Sequence, residues 1–283
     1  MANTKSIYND ETILRALLMR DFQLLGSEYV DDERTSIKRN AFASAQHLNR
    51  VSLPAMKVIP STCFKNASVA TLDLAWSEIT DVGIEAFNGG IGSMTSISLP
   101  KCVRVGDGAF ANNPSLTSVS LPLWTGSLTT DGSVNVSESG MFKGCTALTG
   151  DGIDLPALTS LPSAIFRGCT SLQEVVFEKA TSVGSSAFYG CTNLKKLRFN
   201  GAVKTLGASM LNSCTNLEAL IFTGITSVPS LASSSLSASG IASGRGYIYV
   251  PSDMLASVKA ANNWKTYQDM IRACEDYPSV IGD

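Results

Sequence analysis

Apolar residues recur at fixed intervals along most of the 283-residue chain. In each unit an apolar anchor, usually Phe, is followed by apolar residues six, nine and eleven positions later. Residues 166–177 and 188–199 show the pattern most fully, with Cys-Thr at the third and fourth positions after the anchor. The steps between successive anchors are 22, 23, 23, 32, 24, 22 and 23 residues. The eight anchors are Phe42, Phe64, Phe87, Phe110, Phe142, Phe166, Phe188 and Leu211.

The spacing within one unit predicts its local structure. Apolar residues at offsets 9 and 11 lie on one face of a short strand. The anchor is expected on the opposite wall, at the end of a short helical turn. A Val or Ile such as Val105 or Val183 is expected to begin that turn. One unit cannot bury these side chains alone, and the period is that of leucine-rich repeats. We therefore predict an α/β repeat solenoid, a right-handed leucine-rich-repeat superhelix with a parallel β-sheet on the concave face and helical caps.

Three regions are predicted along the chain. Residues 1–35 form an N-terminal helix or cap, which begins at Asn9 and carries a helical stripe of Ile and Leu. Residues 36–251 form the solenoid, with about nine strands. Residues 252–283 form a C-terminal helical cap and tail, in which Ser252 or Asp253 is the N-cap and the stretch to residue 273 covers the last coil. The N-terminal helix has an alternative interpretation as a site of homo-oligomerisation or attachment.

Composition excludes several classes of protein. The net charge is 22 − 24 = −2, which is too low to attract nucleic acid through bulk positive charge. No apolar run approaches the ~20 residues that a membrane-spanning helix needs, so no membrane insertion is expected. There is one histidine, His47, and no Cys-x-x-Cys motif. Most zinc sites and most acid–base catalysts use His, so neither a cofactor nor an enzyme activity is expected.

Four cysteines occupy the same position in successive units, three residues after the anchor. They could form a metal or redox ladder, or they could be small buried side chains inside each turn. Ala45, Ala67 and Gly90 fill the same position in other units. This replacement by small residues favours packing. The four are Cys145, Cys169, Cys191 and Cys214.

The consensus S-x-A-F-x-G-C-T-x-L-x-x-V-x-L-P, over about residues 36–251, resembles the BspA-like leucine-rich repeat family, also seen in treponemal leucine-rich proteins. The ending Tyr247-Ile-Tyr-Val-Pro251, followed by Trp264, Tyr267 and Ile271, is similar to the one that closes many such arrays. Leu211 departs from the family's Phe, and no leader is evident. The resemblance implies a non-enzymatic binding or adhesion role without identifying the ligand.

Two candidate binding surfaces follow from the repeat. The 32-residue step carries about ten extra residues, and insertions in repeat proteins often map to the binding face. It offers Trp124, which is expected to be exposed, and Asp131, unless it is only a tolerated surface loop. The other candidate is the set of outward strand positions in the C-terminal half of the concave sheet, which could also be plain solvated sheet. These positions are Glu174, Val176, Glu178, Lys196, Arg198, Asn200, Ile221, Tyr247 and Tyr249.

Three functions remain open at this stage. The first is a module displayed on a virion, such as a tail or head fibre that binds a host receptor; the family pattern recurs in phage structural proteins. Synthesis in a reducing cytoplasm, without a signal peptide, suits seven cysteines. The second is a bacterial surface adhesin that binds host protein or glycan. The third is a glycan-active enzyme. The first two predict extracellular display and a protein or glycan partner on a cell surface.

Overall fold

A computed structural model describes residues 28–46, 48–90, 92–129 and 140–282 of the chain. The predicted N-terminal helix that begins at Asn9, the single histidine His47 and the loop residue Asp131 lie outside these residues.

Short strands are the commonest regular elements among the described residues, and every strand pairing there is parallel. In chain order the strands are β1 Glu28–Val30, β2 Arg50–Leu53, β3 Val58–Ile59, β4 Thr71–Leu74, β5 Asp81–Val82, β6 Ser96–Ser98, β7 Arg104–Gly106, β8 Ser118–Ser120, β9 Leu128–Thr129, β10 Ile153–Asp154, β11 Ser160–Leu161, β12 Glu174–Phe177, β13 Ser182–Val183, β14 Lys196–Phe199, β15 Thr205–Leu206, β16 Ala219–Phe222, β17 Ser230–Leu231, β18 Tyr247–Val250 and β19 Ile271–Ala273.

One wall of the solenoid carries the strands that the repeat predicts. It consists of the sheets β1-β2-β4, β6-β8-β10 and β12-β14-β16-β18-β19, and we call it the long-strand wall. Equivalent repeat positions pair in register: Val175 with Leu197, and Leu197 with Leu220. The predicted parallel sheet is confirmed. It runs from residue 28 to residue 273, past both predicted limits of the solenoid.

A second sheet, which the sequence analysis did not predict, forms another wall. Its two- and three-residue strands make the sheets β3-β5-β7-β9 and β11-β13-β15-β17, which we call the short-strand wall. Val105 and Val183 lie in β7 and β13, so the expectation that they begin a helical turn is wrong. In β5, β11, β13, β15 and β17 the apolar second residue is buried and the polar first residue is not, because even a two-residue strand sends alternate side chains to opposite faces.

The anchors lie on a third wall of hydrogen-bonded turns rather than short helices. All eight have a residue with left-handed φ two positions before and two positions after them. A residue with left-handed φ interrupts a right-handed helix, so the N–H of the anchor donates to a carbonyl of the next coil and not within its own turn. The Phe166 N–H donates to the Ala187 carbonyl at 2.8 Å. Glycine at the second of these positions, as in Gly190 with φ +73°, explains the recurrent Gly before Cys-Thr.

The core is built around two columns of aromatic rings. The anchors from Phe42 to Phe188 stack face to face, with centroids 5.3–5.8 Å apart. Phe110 and Phe142 remain in this column at 5.8 Å although the longest repeat separates them. The second column is formed by the ends of β12, β14 and β16, at 5.6–5.7 Å. The second column continues through the repeat anchored by Leu211, where the first column ends because the anchor is not Phe.

The C-terminal end is closed by short pieces of helix rather than one long helix. Helix α1 spans Leu255–Ala260, α2 spans Pro278–Ile281, and 3₁₀ turns span Ser252–Met254, Lys265–Met270 and Cys274–Asp276. No side chain caps the first of these turns, which corrects the expected Ser or Asp N-cap. Instead the Glu275 carboxylate accepts the Ser252 N–H at 3.0 and 3.2 Å. The end of the core is covered by the buried indole of Trp264.

Candidate functional site

The candidate surface is the outward face of strands β12, β14, β16 and β18. Because these strands pair in register, outward side chains form rows that run across them. One row is Glu174, Lys196, Ala219 and Tyr247. The next row is Val176, Arg198, Ile221 and Tyr249. The predicted patch is therefore brought together on one wall, but its two halves differ in exposure.

The half on β12 and β14 is open, and we call it the open patch: Glu174, Val176, Glu178 and Lys196. Val176 is 49% exposed and lies between Glu174 and Glu178 along the chain. The Lys196 Nζ lies 3.5 Å from the Glu174 carboxylate, and Glu178 accepts a hydrogen bond from the Asn200 amide at 2.8 Å. The patch is an exposed aliphatic side chain framed by paired charges on a parallel sheet.

Most of the half on β16 and β18 is covered, which corrects part of the prediction, although Tyr247 stays 38% exposed. Ile221 and Tyr249 were expected to be exposed, but they are 0% and 4% accessible. With Ala219 they form a small apolar cluster on the outer face of the wall, separate from the main core. Val280 and Ile281 of α2, together with Cys274, pack against this cluster. We call residues 277–282 the docked segment.

Arg198 joins the open patch to the docked segment. Its Nη1 donates to the Ile281 carbonyl at 2.5 Å and to the Gly282 carbonyl at 2.7 Å. Its Nε donates to the Asn200 side-chain oxygen at 2.7 Å, and that oxygen also accepts the Thr223 hydroxyl. The guanidinium is therefore oriented by Asn200 and stabilises the last carbonyls of α2, as a cation does at a helix C-terminus.

Aromatic contacts complete the covered half. The rings of Tyr249 and Tyr277 meet edge to face with centroids 5.5 Å apart. Burial raises the pKa of Tyr249, and the neighbouring Tyr277 and Tyr247 hydroxyls raise it further. The Arg272 guanidinium lies 4.7 Å from the centroid of Tyr247, a cation–π contact at the edge of the patch.

A cleft of about 440 Å³ lies beside the docked segment. It is framed by both charge signs and by two aromatic rings. The repeat pattern does not predict this cleft, because it exists only once residues 279 and 280 lie against the sheet. Its lining residues are Glu174, Lys195, Lys196, Glu218, Ala219, Arg245, Tyr247, Tyr249, Ser279 and Val280.

Trp124 does not contribute to an exposed site. Its side chain is fully buried, and the indole Nε1 donates to the Ser127 carbonyl at 2.9 Å. The expectation of an exposed tryptophan was therefore wrong, because the residue lies before the insertion and packs inward as part of its coil. Asp131, the other loop candidate, lies outside the described residues.

The cysteine ladder is buried, as the packing interpretation expected. All four side chains are inaccessible. Each Sγ also donates to a backbone carbonyl of the preceding coil, at 3.0–3.2 Å. In the repeat anchored by Phe110, Asn113 fills the same position and donates to the Phe87 carbonyl at 2.9 Å. The position therefore uses a small donor as well as a small volume, which the sequence analysis missed.

Burial gives these thiols a pH-dependent effect on stability. It raises the pKa of Cys145 from 9.0 to about 12. The unfolded chain therefore loses this proton first, so the contribution is complete below pH 9 and is lost as the pH rises towards 12. Above pH 9 we expect the free energy of unfolding to fall less steeply for Cys145→Ala than for the wild type. The difference should be about 1.4 kcal/mol per pH unit.

Urea unfolding of both proteins at pH 8, 9, 10 and 11, followed by circular dichroism, measures the two slopes. The exposed-surface variant Val176→Ala is the control and should follow the wild type. Equal slopes for Cys145→Ala and the wild type would contradict the prediction.

Two chemical features can be stated for the part of the chain that the structure describes. Within residues 28–46, 48–90, 92–129 and 140–282, no three His, Cys, Asp or Glu side chains form a group that could hold a metal ion. No helix in those same ranges is both long enough and apolar enough to cross a membrane.

Comparison with solved structures returns two leucine-rich proteins and a vaccine antigen among its matches. A leucine-rich cell surface protein from Faecalibacterium prausnitzii A2-165 is 15% identical with a TM-score of 0.45, over 87% of this chain and 72% of that one. A leucine-rich repeat protein from Bacteroides ovatus ATCC 8483 is 17% identical with a TM-score of 0.37, over 87% and 83%. The pneumococcal vaccine antigen PcpA is 14% identical with a TM-score of 0.33, over 87% and 83%.

A search of curated proteins gives no match. The family comparison is decisive for the repeat itself. The model of the BspA type leucine-rich repeat region matches residues 25–149 and 135–244, which together span well over half of the chain. The chain therefore belongs to the BspA-type leucine-rich repeat family.

Proposed function

We propose that this chain is a non-enzymatic recognition module, displayed outside the cell on a virion or a bacterial surface, and that its open patch binds a protein or glycan on a cell surface. The observation that carries the proposal is the exposure of Val176 between charged neighbours on a parallel sheet. Repeat solenoids bind through such extended surfaces. Membership of the BspA-type family supports a binding role in preference to catalysis.

The physics of the open patch suits recognition. Parallel pairing and a close-packed core hold the strands rigidly, so little conformational entropy is lost on binding. The exposed aliphatic surface of Val176 supplies hydrophobic contact. The charges of Glu174, Glu178 and Lys196 around it select a partner of complementary charge. A partner that contacts Val176 also approaches the adjoining cleft.

Cell binding tests the proposal. The labelled wild-type protein is incubated with a panel of bacterial and host cells beside the variant Val176→Glu, and bound label is measured by flow cytometry. We expect at least one cell type to bind the wild type, and we expect Val176→Glu to bind at least about tenfold less, since a buried unpaired charge costs more than 1.4 kcal/mol.

A matched control is available on the other sheet. Val103 is 45% exposed and precedes strand β7 of the short-strand wall. Val103→Glu makes the same chemical change and should leave cell binding unaltered. Equal loss in both variants, or equal binding by Val176→Glu and the wild type, would count against the open patch. Absence of binding to every cell type would contradict the adhesion role.

Purified virions distinguish the two kinds of display. The chain should copurify with particles if it is a virion component, and it should fractionate with cell envelopes if it is a surface adhesin.

A further inference from the structure

The covered half of the long-strand wall has the chemistry of a peptide-binding site that already holds a peptide. Outward positions on this wall are exposed at Val176 and half-buried at Arg198, yet Ile221 and Tyr249 are fully buried. Their cluster does not belong to the main core. It is apolar surface on the outside of the solenoid, and the docked segment covers it.

The docked segment is held by few contacts. Helix α2 has four residues, Pro278–Ile281, and a helix of that length has no stability of its own in water. Tyr277, Val280 and Ile281 recur at the i, i+3, i+4 spacing that places side chains on one face of a helix. Between this segment and the sheet, the hydrogen bonds found within the described residues are the two from Arg198.

These contacts define what the site recognises. The apolar floor of Ala219, Ile221 and Tyr249 accepts an aliphatic pair, and the Tyr249 ring accepts an aromatic edge. The Arg198 guanidinium donates hydrogen bonds to the free carbonyls at the end of a helical turn. This is the helix-in-groove mode of peptide recognition in a shortened form. Residues 277–279 are exposed and Val280 and Ile281 are half-buried, so the segment lies on the outer surface of the sheet and not in the main core.

We propose that the face formed by Arg198, Ala219, Ile221 and Tyr249 is a binding site for a helical peptide turn of a partner protein. The recognised turn has an aromatic residue followed at the third and fourth positions by an aliphatic pair. The chain's own docked segment occupies the site and competes with that partner. A tethered segment acts at an effective concentration in the millimolar range, so a free ligand binds only after displacing it. This proposal rests on the proposed function in one respect, because both place a binding surface on the same sheet.

The experiment uses the full chain and a synthetic peptide. The docked segment is released by the double substitution Val280→Asp and Ile281→Asp, which leaves the sheet and the main core intact. The probe is a fluorescein-labelled peptide with the sequence Glu-Asp-Tyr-Pro-Ser-Val-Ile-Gly, as in residues 275–282. A matched control peptide carries Asp at both aliphatic positions. Binding is measured by fluorescence anisotropy, and no cells are present, so the result is separable from the test of the open patch.

We expect the probe to bind the released variant at least about tenfold more tightly than the wild type, because the wild-type segment no longer competes. The control peptide should not bind. Adding Ile221→Asp to the released variant should abolish probe binding, and Ile221→Ala should weaken it, with circular dichroism to show that both remain folded. Adding Val176→Glu should leave it unchanged.

Cys274 gives a second readout, because its half-buried thiol packs against the cluster under the docked segment. Its reaction with a disulfide reagent should be faster in the released variant. An unchanged rate would show that the segment does not lie on this face, and the proposal would be wrong. Equal binding of the probe and the control peptide, equal binding to the wild type and the released variant, or no binding to the released variant would each overturn it.

Discussion

Replacement of Phe166 by Ala should lower the free energy of unfolding by about 3–5 kcal/mol, the range for a fully buried Phe in a packed core. Phe166 is inaccessible to solvent and lies where the two aromatic columns meet. Its ring is 5.7 Å from that of Phe142, 5.5 Å from Phe188 and 6.1 Å from Phe177. The substitution leaves a cavity that three rigid coils line, so little relaxation can fill it.

Guanidinium unfolding followed by circular dichroism measures this effect, with Val176→Ala as the control. Val176 lies on the outer face of the same repeat, and its truncation should change the free energy by less than about 0.5 kcal/mol. A Phe166→Ala midpoint equal to that of the wild type would contradict the stacked core and with it the alignment of the repeats. Because repeat proteins can unfold in parts, the thermal midpoint is measured as well.

The loss of Trp264 is the second large effect that we expect, also about 3–5 kcal/mol. The indole ends the second aromatic column, with its edge on the Phe222 ring at 6.1 Å. Its Nε1 donates to the Pro229 carbonyl at 2.7 Å, so Trp264→Ala also leaves that carbonyl without its donor. Without this cap the apolar end of the last coil is open to water.

This destabilisation should be local, because each coil contacts only its neighbours. In Trp264→Ala we expect the thiol of Cys214 to become reactive before that of Cys145, which lies several coils away. The half-buried Trp76, whose ring lies 5.6 Å from Phe87, is the matched control, and Trp76→Ala should cost less. A Trp264→Ala protein as stable as Trp76→Ala would show that the indole does not close the core.

Features that depend on short sequence spacing were predictable. The alternating apolar pair at offsets 9 and 11 specifies a strand with one buried face, and Val175 and Phe177 in β12 show that pattern. The repeat of that pair specifies parallel pairing in register, because equivalent residues must stack to be buried. The buried cysteines followed from the same periodicity. Exposure of Glu174, Val176 and Glu178 on the long-strand wall agrees with their outward parity.

Features that depend on backbone conformation were less predictable. A short helical turn was predicted before the anchor Phe188, but the left-handed φ of 56° at Ser186 turns the backbone towards the next coil. The resulting bonds between coils outweigh the helix propensity of single residues. The short-strand wall was also hard to predict, because a two-residue strand is too short to show an alternation of apolar and polar residues within one unit.

The sequence by itself determined the repeat, the inward and outward sides of each long strand, and membership of the BspA-type leucine-rich repeat family, because these depend on the order of apolar residues within about 23 positions. Only the tertiary structure decided which outward residues are free. Ile221, Tyr249 and Arg198 have the same parity as Val176, but residues 277–282 return to cover them from about 30 to 80 positions away. Contacts between residues so far apart follow from the path of the folded chain, and local periodicity carries no information about them.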